Sequence, residues 1–356
     1  MVFDICINKS IEKTIKKRLD LKQPSIIITT MINVSKKPFE DVVGQESVKR
    51  LLSFYLNAFK VTSMVPNFLF VAEKGTGKTM FCTEVAKNLL IDGKPKRAKE
   101  INCSTLGQGQ AGINQFVEQI AIPFIQDNDC TLVFDEASEL PEGLTMSLLT
   151  MLNPNSDNRN TFVTPDGSIL DIDFRRHTFM FATTCPHKIF PALMSRLKRV
   201  DLESYTDDQL MTIVEKNITK NSKVTFANDG VKQEIPKVLR NNPRCGQMMA
   251  NDIITYAAHS KIKVFSMKDW EKLKVQINIL PYGLNSTELR VLQFLNDNGN
   301  RGVRLADISA KLGMSAGAIQ RDIETFMLRT NLMCVDGGRK ITKKGQKIIQ
   351  EIGKNI

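Results

Sequence analysis

Residues 68–79 read Phe68-Leu69-Phe70-Val71-Ala72-Glu73-Lys74-Gly75-Thr76-Gly77-Lys78-Thr79. The apolar run, the glycine-rich stretch and the residues after it predict a buried strand, a tight loop and the start of a helix. The stretch matches the phosphate-binding loop G-x-x-x-x-G-K-[ST], except that Ala72 stands at the first glycine. In such a loop, backbone N–H groups and the helix N-terminus surround phosphates, the lysine reaches the terminal phosphates and the hydroxyl holds Mg²⁺. The stretch therefore predicts a site for a nucleoside triphosphate.

Strand-like apolar runs alternate with helical stretches up to about Leu202. The clearest strands are Phe68–Val71, Thr131–Phe134 and Thr178–Ala182, and each ends at a polar cluster. This alternation predicts a parallel sheet flanked by helices, with its ligand site at the carboxyl ends of the strands.

The rest of the chain predicts further units around this α/β core, which we place at residues 37–204. Residues 1–36 form a lysine-rich N-terminal extension to which no role is assigned. Within the core, Asn153–Arg176 predicts a β-hairpin. Residues 205–280 carry a helical pattern and predict a small lid domain, and residues 281–356 form a separate C-terminal domain.

Two carboxylates follow the second predicted strand. Asp135 can hold Mg²⁺, and the adjacent Glu136 can polarise a water molecule for attack on the γ-phosphate. Buried strands seldom end in two acids for packing reasons, because isolated buried charge is costly. Thr184, after the third strand, is placed to contact the γ-phosphate or that water.

Two arginines complete the predicted site. Arg196 lies in a mostly apolar segment, and phosphoryl transfer gains greatly from a guanidinium brought by a neighbouring subunit. Arg244 follows Asn242 and Pro243, which predict a helix start that could reach the phosphates across a domain cleft. Taken alone, each is more simply an ordinary surface arginine.

Composition narrows the class of protein. The chain has 356 residues, a formal net charge of +11 and seven scattered cysteines without a C-x-x-C pair. The charge favours an anionic partner such as nucleic acid, although a solvated basic surface explains it equally well. The cysteines predict reduced thiols of a cytoplasmic protein, and the histidines form no metal-ligand pattern. No apolar run is long enough for a membrane span, and no secretory signal is predicted.

The C-terminal domain has the element order of a winged helix. A capped helix from Ser286 and two further helical stretches precede a β-hairpin signal over residues 332–342. Such a domain binds DNA or another protein. The basic residues in and after the hairpin favour DNA, and the predicted phosphate contacts are Arg339, Lys340, Lys343 and Lys344.

Together these residues resemble the AAA+ ATPases and, among them, the RuvB family of Holliday-junction branch-migration motors, from about Lys37 to the C-terminus. The resemblance implies a P-loop AAA+ core, a helical lid and a winged helix. It implies ATP and Mg²⁺ as cofactors, with Thr79 and Asp135 at the metal. The implied nucleotide-binding residues are Val42, Val43, Gly75, Thr76, Gly77, Lys78, Thr79, Met80, Asp135 and Arg244. The implied catalytic residues are Glu136, Thr184, Arg244 and, acting on the neighbouring subunit, Arg196.

The function that the resemblance implies is an ATP-driven ring, of hexameric size, that moves duplex or four-way-junction DNA. Two alternatives stay open: an AAA+ loader of a clamp or replicative helicase, and a winged-helix regulator whose nucleotide site only switches assembly. Ala72 and Glu73 depart from the family's usual Gly-Pro start of the loop, so ATP binding requires a negative φ at Ala72. The hairpin region is only loosely similar, so a RuvA-like partner and a replication partner both stay open.

Overall fold

The computed structural model describes residues 37–125, 128–153, 159–163, 167, 169–174, 177–299 and 301–354. Contacts divide the chain into residues 1–37 and Pro38–Ile356, and every described helix and strand lies in the second unit. The predicted N-terminal extension, residues 1–36, lies outside the described residues.

A five-stranded parallel sheet forms the centre of the first half of this unit. Its strands are β1 Phe68–Val71, β2 Arg97–Asn102, β3 Cys130–Asp135, β4 Thr178–Thr183 and β5 Lys198–Asp201. They lie in the order β2-β3-β4-β1-β5, and all four pairings are parallel. The predicted parallel sheet is therefore confirmed, and the three predicted strands are its three inner ones.

Both faces of this sheet are covered, which explains why the inner strands are mostly apolar. Phe68 and Phe70 of β1 pack into one apolar cluster, while Leu69 and Val71 pack into the other. Successive side chains of a strand point to opposite faces, so only strands buried on both faces read as continuous apolar runs. Helices α1 and α2 contribute to the first cluster, and α3, α4 and α5 to the second. Their bounds are α1 Glu46–Thr62, α2 Lys78–Asn88, α3 Gln110–Phe116, α4 Glu142–Met151 and α5 Pro191–Met194.

Smaller elements interrupt the core. The predicted hairpin is confirmed: Arg159–Val163 pairs antiparallel with Ile169–Asp173, although Pro165 and Asp166 of its predicted turn lie outside the described residues. A π-helix, Val117–Ile125, continues α3. Two-residue strands Leu90–Ile91 and Lys94–Pro95 form a second hairpin.

The helical segment that follows has its own apolar core. Its helices are α6 Asp207–Asn221, α7 Asp229–Glu234, α8 Pro243–His259 and α9 Met267–Gln276. A capping box at Thr206 and Gln209 starts α6, and Asn228 caps α7. Trp270 and Phe265 are fully buried in this core. None of the helices in the described part of the chain is long and apolar enough for a membrane crossing.

The C-terminal segment forms a winged helix, as predicted. Helix α10 spans Ser286–Asp297 and α11 spans Leu305–Leu312. The next helix, which we name the third helix, is built of Ala316–Ala318, a π-helical Ile319–Glu324 and Thr325–Arg329. Two antiparallel strands form the wing, and a helix closes the domain; their bounds are Met333–Val335, Arg339–Ile341 and Lys343–Lys354.

Candidate nucleotide site

The loop after β1 has the backbone of a phosphate cradle. Gly75 and Gly77 have φ of 84° and 101°, a region that side chains rarely adopt, and a Cβ at Gly75 would collide with the Asn242 amide. Ala72, in contrast, keeps a negative φ, and its N–H donates to Thr183 O at 3.4 Å. The alanine therefore occupies a conformation open to any residue, and the departure at this position leaves the loop geometry intact.

Lys78 is held against the start of this loop. Its ammonium donates to the carbonyl oxygens of Ala72 and Glu73, both at 3.0 Å. The side chain is only 7% exposed, and burial lowers the pKa of Lys78 from its usual 10.5, against the opposing attraction of Glu136 and Asp135. An ammonium held mainly by neutral carbonyls in a desolvated site has a strong preference for an anion.

The acidic pair after β3 lies beside the hydroxyl at the start of α2. Thr79 Oγ1 donates to Asp135 Oδ2 at 3.2 Å, and the Glu136 N–H donates to Asp135 Oδ1 at 3.0 Å. Glu136 has φ 51° and ψ 48°, a left-handed conformation that costs a non-glycine residue energy and is common at functional sites. Mg²⁺ takes hard oxygen ligands, usually one or two carboxylates completed by phosphates and water, so Thr79 and Asp135 fit this ion.

These groups open into one cavity of about 350 Å³, between the sheet and the helical segment. Among the residues that line it are the following predicted ones: Val42, Val43, Gly75, Thr76, Gly77, Lys78, Thr79, Met80, Asp135, Glu136 and Arg244. A volume of this size accommodates a small-molecule ligand. The structure thus brings together the predicted nucleotide-binding residues and the two carboxylates.

Arg244 reaches the cavity because its helix begins on the phosphate loop. Asn242 Oδ1 accepts from the Arg244 N–H at 3.0 Å and caps α8, while Asn242 Nδ2 donates to Lys74 O at 3.0 Å. One side chain therefore fixes both the helix start and its distance from the loop.

Two predicted residues do not line the cavity. Thr184 lies just beyond β4, where its hydroxyl is 3.7 Å from Cys185 Sγ. Arg196 donates from Nη1 to Ala192 O at 2.7 Å, and its Nε is buried without a hydrogen-bond partner among the described residues. A residue that acts on a neighbouring subunit has no reason to reach its own cavity, so the role of Arg196 stays a prediction.

The cavity also includes residues that the sequence did not single out. Tyr205 is 3% exposed, its hydroxyl donates to Thr76 O at 3.2 Å, and burial raises its pKa. Ile213, Lys216 and Asn217 of α6 and Gln247 of α8 also line the lid side of the cavity. No sequence motif marks these positions, because their place at the cavity depends on how the lid packs. The only local signal for the lid side is Asn242-Pro243, which marks the start of α8.

The predicted DNA-contacting residues are engaged within the winged helix to different degrees. Arg339 forms a bidentate pair with Glu324, at 3.0 and 3.1 Å from Nη2, and the two side chains are 16% and 11% exposed. Lys340 pairs with Asp336 at 2.9 Å. Lys344 Nζ donates to Thr330 O at 3.0 Å and lies over a tyrosine ring. Lys343 is exposed at the start of the last helix.

Comparison with known proteins agrees with this organisation. Residues 68–208 match the model of the ATPase family associated with various cellular activities (AAA), and residues 281–350 match that of the RuvB C-terminal winged helix domain. The chain therefore carries an AAA ATPase domain followed by a RuvB-type winged helix.

Curated relatives and a solved structure are similar to most of the chain. The chain is 23% identical over 323 residues to the Holliday junction branch migration complex subunit RuvB of Mycoplasmopsis pulmonis, covering 90% of this chain and 98% of that protein. It is 25% identical over 326 residues to the RuvB of Campylobacter hominis, covering 89% and 91%. The solved Thermotoga maritima RuvB Holliday junction branch migration motor superposes with a TM-score of 0.69 at 21% identity, covering 88% of this chain and 97% of that one.

Proposed function

We propose that this chain, which resembles RuvB over nearly its whole length, is an ATP-driven ring motor that moves branched or duplex DNA. The observation that carries the proposal is the single cavity in which the phosphate loop, the Asp135–Glu136 pair and Arg244 meet, in a chain that also carries a RuvB-type winged helix. The relatives, whose names describe subunits of a Holliday junction branch migration complex, support the DNA substrate and assembly with other subunits.

When bound, ATP would supply the phosphoryl group, and Mg²⁺ would neutralise the charge that develops on it. Lys78 binds the terminal phosphates. To do so, its ammonium gives up its hydrogen bonds to the neutral carbonyl oxygens of Ala72 and Glu73. Thr79 and Asp135 would hold the metal, and Glu136 accepts the proton of the attacking water. Val42, Val43, Met80 and Arg244 line the cavity. In our proposal the first three contact the nucleoside, and Arg244 contacts the phosphates from the lid.

The ring follows from Arg196 acting on a neighbour. Its guanidinium Nε is buried without a partner among the described residues, and it lies apart from its own cavity. In our proposal it completes the site of the next subunit, where it stabilises the charge of the transition state. Thr184 follows β4, the strand that pairs with β3, and within its own subunit it would contact the γ-phosphate or the attacking water once ATP is bound. A hexamer is the ring size we expect.

DNA is the proposed anionic partner of the winged helix, in agreement with the net charge of +11 of the chain. Exposed Lys343 supplies positive charge near the wing. Further positive charge comes from three residues that already have partners within the domain: Arg339, Lys340 and Lys344. The motor would work in the compartment that holds the DNA, which for a bacterial-type system is the cytoplasm.

ATP turnover with and without a synthetic four-way junction tests the proposal. We expect turnover that rises with the junction, and particle imaging with a slowly hydrolysed analogue should reveal rings with DNA in their centre. Stimulation only by a clamp or helicase partner would instead identify a loader, and ATP binding without any turnover would identify a nucleotide-switched regulator.

Mixing two inactive variants tests the shared site. Arg196→Ala subunits keep an intact phosphate loop, and Lys78→Ala subunits keep an intact arginine, so mixed rings should recover part of the turnover. Arg199→Ala, on an exposed arginine paired with Asp201, is the matched control and should remain active alone. Failure to recover turnover at every mixing ratio contradicts the role of Arg196.

A further inference from the structure

Glu73 lies in the phosphate loop but its side chain does not line the cavity. Its carboxylate instead pairs with Arg329, the last residue of the third helix of the winged helix, with Nη1 and Oε2 2.5 Å apart. Residues 256 positions apart in sequence thus join the nucleotide loop directly to the winged helix.

The backbone of the same residue is tied to the lysine that binds phosphate. The carbonyl oxygen of Glu73 accepts from Lys78 Nζ at 3.0 Å and from Thr76 Oγ1 at 2.7 Å. A negatively charged phosphate competes with a neutral carbonyl for this ammonium, so nucleotide binding changes the hydrogen bonds that hold Glu73. This change in hydrogen bonding occurs at Glu73. Glu73 is next to a cavity-lining residue and is itself the residue that contacts the winged helix.

Arg329 is held on its other side by the lid. Its Nη2 donates to Arg240 O at 3.3 Å. Arg240 in turn is bidentate to Glu288, a carboxylate with no exposed surface, and its guanidinium lies 4.3 Å from the Phe326 ring. A charged pair of this kind is costly to break, so the winged helix is firmly joined at Arg240 to residues 240–242, which precede α8 and which we name the lid loop.

The lid loop also returns to the phosphate loop. Arg240 and Asn241 both have φ of 56°, and Asn242, the next residue, donates to Lys74 O at 3.0 Å. The winged helix therefore contacts the loop directly through Arg329 at Glu73, and it is linked indirectly to the adjacent Lys74 through Arg240 and Asn242 of the lid.

We propose that Glu73 and Arg329 are positioning residues that couple nucleotide binding at the phosphate loop to DNA binding by the winged helix. The inference rests on the proposed function, since it needs both ligands. Linkage makes the coupling reciprocal: nucleotide changes the affinity for DNA by the same factor by which DNA changes the affinity for nucleotide. Because the pair is exposed, its share of this factor is about two- to fivefold.

The test is the ratio of the DNA dissociation constants of the full chain without and with ATPγS, measured by anisotropy of a labelled four-way junction. We expect a ratio different from one in the natural chain and a ratio about two- to fivefold closer to one in Glu73→Gln and Arg329→Gln. The exchanged pair Glu73→Arg/Arg329→Glu keeps the net charge and should return the ratio to that of the natural chain.

Arg321→Gln is the matched control, because Arg321 is an exposed arginine of the same helix. Any effect of this variant on DNA binding should be equal in both nucleotide states and leave the ratio unchanged. An unchanged ratio in Arg329→Gln, or single effects that simply multiply in the exchanged pair, overturns the inference. Intact binding of both ligands without coupling in the natural chain overturns the inference alone, whereas no nucleotide binding at all overturns the proposed function.

Discussion

The predicted charged residues of the nucleotide cavity and those of the wing differ in what their side chains face. In the cavity, Lys78, Glu136 and Arg244 all face one space in which a ligand fits. In the wing, Arg339 faces Glu324 within its own domain, and Lys340 pairs with Asp336.

The contrast teaches which kinds of sequence pattern specify where a side chain lies. A phosphate-loop motif fixes backbone shape through Gly75 and Gly77, so the position of Lys78 follows from the motif. A cluster of basic residues fixes no backbone shape, and Arg339, Lys340 and Lys344 each take a nearby carboxylate or carbonyl. Charge composition therefore indicates the class of partner but not the contacting residues.

The sharpest test of the cavity is Glu136→Gln. The amide keeps the size of the side chain but cannot accept the proton of water, so turnover should fall by about 10²–10⁴-fold. Nucleotide affinity, measured with a fluorescent ATP analogue, should change far less.

Glu139→Gln is the control for Glu136→Gln. Glu139 lies three residues further on and accepts from Lys188 at 3.4 Å at the surface. Its turnover should match the natural chain. Equal loss in both variants would indicate that local charge, rather than proton transfer at Glu136, sets the rate.

The wing provides the next largest effect, in stability. Arg339→Ala leaves the Glu324 carboxylate, only 11% exposed, without its bidentate partner and should lower the free energy of unfolding by about 2–3 kcal/mol. Thermal unfolding checks this value.

Lys343→Ala is the paired experiment, because Lys343 is exposed. Its unfolding should be unchanged, while the slope of DNA affinity against salt falls by about one. If Arg339→Ala instead left unfolding unchanged and reduced the salt slope, Arg339 would be a DNA contact and the contrast between the two regions would fail.

The pH dependence of nucleotide binding tests the environment of Lys78. Burial lowers the pKa of Lys78 below 10.5 in the free protein, whereas bound phosphates favour the charged form and raise it. Between these two pKa values, binding takes up a proton, so affinity falls as pH rises, by at most about tenfold per pH unit. Calorimetry in buffers of different ionisation enthalpy measures this proton uptake. If nucleotide binding took up no proton at alkaline pH values below 10.5, the lowered pKa of Lys78 would be contradicted.

The sequence predicted the inner part of the sheet and missed its edges, for a physical reason. β1 and β4 are buried on both faces and read as apolar runs. The edge strands β2 and β5 are largely exposed and rich in lysine and arginine, so no periodic pattern distinguishes them from loops. Their place depends on pairing with β3 and β1, which local sequence does not encode.

The site follows the same rule. Residues inside a contiguous motif, such as Lys78 and Asp135, were found, while those that the lid brings from a distance were missed unless a helix start marked them, as with Arg244. Tyr205 illustrates the second kind, because a single tyrosine before α6 carries no signal until the fold places it under Thr76.

Tyr205→Phe is the smallest and most selective test of that placement. The variant keeps the buried ring but removes the donor to the Thr76 carbonyl, which should weaken nucleotide binding by about fivefold, corresponding to about 1 kcal/mol. Tyr256→Phe is the matched control, since its hydroxyl donates to Asp269 at 3.2 Å within the lid and away from the cavity. Both variants lose one hydrogen bond and some stability, but only Tyr205→Phe should change affinity for the ATP analogue. If the two variants bound the ATP analogue with equal affinity, the lid would shape the cavity by packing alone, and the phosphate loop would keep its conformation without the Tyr205 hydrogen bond.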